Sequence, residues 1–126
     1  MGCASGETVP RGRFEQVVSQ VRRRVIEPGQ YRFRLDADLD PASLVLLPST
    51  TSLRRGDARG VVRVTLTKDG KLAVSIETRD DGHAGEFGVM YLDSGISDAD
   101  LEGTRLDSQR EVRIDDHWVR WTYDLG

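Results

Sequence analysis

A single cysteine and two histidines, Cys3, His83 and His117, are all that this 126-residue chain has of those residue types. One cysteine closes no intrachain disulfide, so stability has to come from a packed core. With no cysteine pair and no His-x-x-x-His spacing, the usual zinc ligand patterns are absent. No apolar run approaches the ~18 residues of a membrane-crossing helix. Prolines number four and aromatics make up 6% of the chain. No phosphate-cradling glycine loop and no strand-turn-helix pattern around a serine occurs, and neither Ser75 nor Ser94 has the flanks of an activated nucleophile. No cofactor is implied.

What is present describes a folded domain with a charged surface. Hydrophobic residues make up 37% and charged residues 31% of the sequence, which is globular rather than disordered. The length suits one domain. We expect a flexible tail over 1–11 and a single domain over 12–126. The net charge of −3 is unevenly spread. Residues 1–34 carry seven Arg and three Glu, whereas residues 77–126 carry five Arg against thirteen carboxylates. So acidic a C-terminal half argues against a nucleic-acid-binding sheet, which needs a net positive face.

The opening Gly2-Cys3-Ala4-Ser5-Gly6 resembles the lipid-attachment box of bacterial lipoproteins, in which a glycine precedes the modified cysteine. The resemblance covers five residues and implies a cell-envelope location if a signal segment precedes them in the full protein. Read without it, the segment is a small-residue tail on a cytoplasmic protein. N-myristoylation would need Ser or Thr at position 6, which is glycine here.

From Arg13 the apolar residues Phe14, Val17, Val18, Val21 and Val25 fall on one helical stripe. Pro28-Gly29 ends that helix. The period then becomes two. Tyr31, Phe33 and Leu35 form one alternating strand, and Leu44 to Leu47 form a short one between prolines. Val62, Val64 and Leu66 turn at Asp69-Gly70 into Leu72, Val74 and Ile76. Phe87, Val89 and Tyr91 follow a Gly- and Asp-containing loop. A polar excursion over 93–109 has one helical turn near 97–102, and a last hairpin joins Val112 and Ile114 to Val119, Trp121 and Tyr123. Short links make neighbouring strands antiparallel. The fold class is therefore α+β: one N-terminal amphipathic helix on a curved antiparallel sheet of six or seven strands, a roll or half-barrel. About seven strands span roughly 30 Å, whereas a helix is about 10–12 Å wide. The sheet must curl round the helix, or a second copy must cover the remainder.

Alternation also assigns faces. It predicts Val119 and Tyr123 against the helix, and Arg63, Thr65, Ser75, Glu77, Met90, Leu92, Glu111, Arg113, Trp118 and Arg120 on the outward face. A tryptophan among arginines and methionine has the composition of an interface centre, unless the 93–109 excursion folds back over it. The candidate binding set is Trp118, Arg120, Met90, Leu92, Arg113 and Arg63.

A second candidate is the 80–86 loop, where His83 could serve as base or ligand beside Asp81 or Glu86. Two acidic runs have a weak calcium-loop spacing: Asp98-Ala99-Asp100 with Gly103, and Asp36, Asp38 and Asp40. The first has Gln109 where a bidentate Glu belongs, and the second has Pro41 in place of the turn glycine. The preferred reading is a non-enzymatic binding or protein-interaction module, with a protein partner or a second copy of itself. The alternative is a small-molecule or metal-dependent enzyme centred on His83.

Overall fold

A computed structural model describes residues 11–36, 40–48, 61–80, 86–102, 104–105 and 109–123. Helix α1 spans Arg11–Arg24, and its stripe of Phe14, Val17, Val18 and Val21 is buried together with the following Val25. Arg22, Arg23 and Arg24 close its last turn, where positive charge suits the carbonyl end of a helix.

Seven strands follow: β1 (Gly29–Arg34), β2 (Val45–Leu46), β3 (Val61–Leu66), β4 (Leu72–Asp80), β5 (Glu86–Leu92), β6 (Arg110–Arg113) and β7 (Trp118–Tyr123). They form one antiparallel sheet in the order β2-β1-β3-β4-β5-β7-β6. The sheet is not closed into a barrel, and β2 and β6 are its edges. The expected α+β architecture, a helix packed on an antiparallel sheet, is therefore what forms.

Local chemistry accounts for the links. Between β3 and β4, Gly70 has a φ of 87°, and its N–H donates to the carbonyl of Thr67 at 3.0 Å. That positive φ favours glycine and lets Asp69-Gly70 reverse the chain. The short Pro41–Ser43 3-10 turn before β2 is capped by Asp40, whose carboxylate accepts from the Ala42 N–H at 3.0 Å. The Asp98–Leu101 turn carries a reciprocal cap between Ser97 and Asp100.

Apolar side chains are buried on both sides of the sheet. On one side α1 packs against Phe33, Val62, Val64, Val74 and Ile76. Strand pairing assembles this layer, because Phe33 lies opposite Val62, which lies opposite Ile76. On the other side Ala73, Met90, Leu92, Val119 and Trp121 form a second cluster, closed by Leu101 with Ile96 at its margin. The segment after β5 thus folds back across the sheet.

Strand β7 reverses one expectation. Trp118 faces the helix, and Val119 faces away from it. Directly opposed residues of an antiparallel pair share a face. Tyr91 opposes Trp118, and Met90 opposes Val119. Met90 and Leu92 do lie away from the helix, as the alternation predicted, so Val119, the β7 partner of Met90, must too. Alternation does put Val119 and Trp121 on one face, but both faces of the sheet are covered, so periodicity could not say which face meets the helix.

Candidate functional site

The six residues expected on one free face divide between two. Trp118 and Arg120 lie on the helix side, whereas Met90, Leu92, Arg113 and Arg63 lie on the other. Trp118, Met90 and Leu92 are buried, Trp118 to 4% exposure. Trp118 packs near Phe14, with ring centroids 6.1 Å apart, and edge-on to Tyr91 at 5.4 Å. It joins helix to sheet and is not a free anchor. Arg63 is half-buried, and its Nη1 lies 3.7 Å from the carboxylate of the fully buried Glu77. Arg120 and Arg113 are exposed.

His83 and Asp81 lie outside the described residues, as does Cys3, while the backbone of Glu86 pairs with Asp80 and Tyr123. Among the described residues, no group of three or more His, Cys, Asp or Glu side chains could hold a metal ion. The described acids of the two suggested calcium runs make local contacts. Asp36 accepts from the Asp40 N–H at 3.1 Å, Asp100 caps its own turn, and Asp98 pairs with Arg105 at 3.2 Å.

One polar constellation escaped the sequence reading. Arg22 reaches from the end of α1 to Asp93, just beyond β5, donating to both carboxylate oxygens at 2.9 and 3.4 Å. The Tyr91 hydroxyl donates to Asp93 at 2.8 Å, and the Leu72 N–H donates to its other oxygen at 2.8 Å. Burial opposes ionisation of Asp93. The Arg22 guanidinium, the Leu72 amide and the Tyr91 hydroxyl outweigh it, and the carboxyl is held below its ordinary range. Burial, and then the neighbouring Asp93, pushes the Tyr91 phenol up. His117 stacks on Tyr91 at 5.7 Å, and its Nδ1 lies 3.0 Å from the carbonyl oxygen of Leu92. That oxygen can only accept, so Nδ1 carries the proton. These groups satisfy one another and fasten α1 to the sheet. Only the 71-residue separation of Arg22 and Asp93 kept the pair out of reach of sequence patterns.

The β6 edge has a different character. Val112 is 66% and Ile114 is 49% exposed. Val112 opposes Arg120 on β7, which places it on the helix side of the sheet in a part that α1 does not cover. Arg110 and Arg120 stand beside it, both exposed. The other edge differs in form, because β2 is only two residues long and its exposed Val45 and Leu46 alternate between faces. On the opposite face, Glu111 is gripped by Arg105, which donates to both carboxylate oxygens, and by Gln109 at 2.9 Å. This grip ties the folded-back segment to β6.

Comparison with family models, with curated proteins and with solved structures finds no match to this chain. No helix among the described residues is long and apolar enough to cross a membrane.

Proposed function

We propose that this chain is a non-enzymatic protein-interaction module whose binding surface is the β6 edge with its helix-side strip of Val112, Ile114, Arg110 and Arg120. The observation that carries the reading is the exposure of two β-branched residues, Val112 in a terminal strand at 66% and Ile114 just past its end at 49%. Edge strands present backbone donors and acceptors for another strand to pair with, and proteins usually blunt them. Here the apolar residues sit where a pairing strand would cover them, with arginines at the rim, a composition enriched at interfaces. The occupant that suits this edge is an extended protein segment added as an eighth strand. Trp118, which the sequence had suggested as the anchor, instead holds the helix that leaves this strip open.

The test uses wild-type and Val112→Lys proteins as paired baits, with their thermal melts compared. A binder retained by wild type and lost by the variant, which also slows amide exchange at Glu111 and Arg113, supports the reading. Equal capture by both baits, or binding with no protection at β6, overturns it.

A further inference from the structure

We propose that the strand added at β6 is β6 of a second copy, paired antiparallel about a two-fold axis through Val112. This inference rests on the interaction-module reading and names its partner. The first argument is the direction of the backbone groups. The N–H of Ile114 donates to the carbonyl of Trp118 at 2.9 Å across the β6–β7 ladder. Antiparallel ladders alternate, so the peptide groups of Val112 and Arg110 also turn toward β7, while those of Glu111 and Arg113 turn outward. Among the described residues no further strand pairs with that side.

Charge then selects the register. A two-fold axis at Glu111 would set that carboxylate opposite its own copy, and an axis at Arg113 would do the same with two guanidiniums. Like charges directly opposed across a sheet are destabilising. An axis at Val112 places each Glu111 opposite the partner's Arg113. Both of those pairs then exchange their outward N–H and C=O groups as hydrogen-bonded pairs, and Val112 meets the partner's Val112 at the close, non-hydrogen-bonded spacing. Of the axes through residues of β6, Val112 alone opposes no like charges, and it satisfies backbone and apolar strip together. Such an axis runs perpendicular to the sheet, so both helices lie on the same side of one continuous sheet. The exposed Val112 and Ile114 of both copies fall between them, in the region a single helix is too narrow to cover.

The experiment is a mass measurement by light scattering over a dilution series, with a charge-swap design. Wild type should give twice the chain mass of 14.1 kDa. Arg113→Glu alone and Glu111→Arg alone should each raise the dissociation constant about tenfold or more, because each sets like charges opposite one another. Mixing the two variants should restore the dimer, since Glu then faces Arg at both pairs. Glu111→Arg also loses the Arg105 contact, so a second measurement guards against misfolding. In a Cys3→Ser background, Val112→Cys should oxidise to a cross-linked dimer, whereas Arg110→Cys and Ile114→Cys should not. A wild type of single-chain mass at every concentration, or single swaps that leave the dimer intact, would overturn self-pairing. If that wild-type monomer still binds another protein with protection at β6, the interaction reading survives. If it binds none, both fall.

Discussion

Trp121 and Gly88 face each other across the β5–β7 ladder, and the indole occupies the space a side chain at position 88 would need. A Cβ on Gly88 would come 2.9 Å from Cζ2 of Trp121 and 2.0 Å from the carbonyl oxygen of Ile76. The Trp121 indole N–H also donates to the carbonyl of Val89 at 3.2 Å, which fixes the ring over the glycine. The register shift between Glu77 and Arg79 lies beside this contact. Gly88→Ala should therefore destabilise the fold by about 3 kcal/mol, because the obstruction is backbone as well as ring. Urea unfolding would check it, and a loss below about 0.5 kcal/mol would contradict the packing.

Trp118→Ala should act on stability. The ring is buried against Phe14 and Tyr91, and removing a buried tryptophan costs about 3–5 kcal/mol. That is a large share of the 5–15 kcal/mol typical of a domain. A thermal melt within a degree or two of wild type would show that the helix does not depend on this residue.

The Arg22–Asp93 pair makes stability depend on acid. A carboxyl held below its ordinary range in the folded chain contributes stability that is fully present above the unfolded value of about 4. That contribution disappears as pH falls through the lower, folded value. Wild type should therefore lose stability on acidification below about pH 4, and Asp93→Asn should be less stable at neutral pH with a flatter acid limb. Parallel curves for the two proteins would remove Asp93 from the account.

Leu101 closes the cluster on the face away from the helix, over Met90, Val119 and Trp121. Leu101→Ala should cost about 2–5 kcal/mol and shift the Trp121 indole resonance in an NMR spectrum. An unchanged indole signal would mean that the folded-back segment does not cover that ring.

By contrast, compared at dilutions where both proteins are single chains, Val112→Lys should change folding stability by less than about 0.5 kcal/mol, since an exposed side chain on an edge strand has little to lose. A larger drop in the melt would show that Val112 serves the fold and would disqualify the variant as a binding probe.

Much of the architecture was legible because it depends on local periodicity. The stripe from Phe14 to Val25 specified a helix and its buried side, and the alternations through β1, β3, β4 and β5 specified strands with their faces. Asp69-Gly70 marked its turn because one residue there needs a positive φ. The outward placement of Met90, Leu92, Arg63 and Arg113 followed from the same rule.

Tertiary structure decided the rest. Both faces of the sheet are covered, so only the register of β7 against β5 could send Trp118 to the helix and Trp121 to the opposite side. The folded-back segment covers Met90 and Leu92 through Leu101 and is tied to β6 by Arg105 and Glu111, contacts no periodic signal announces. Arg22 and Asp93 meet because the helix end and the β5 end are brought together by packing. Sequence alone determined which segments are helix and strand, because those choices follow from neighbouring residues. Which side of β7 meets the helix, and which apolar residues stay open at β6, depended on how the strands pair across the sheet.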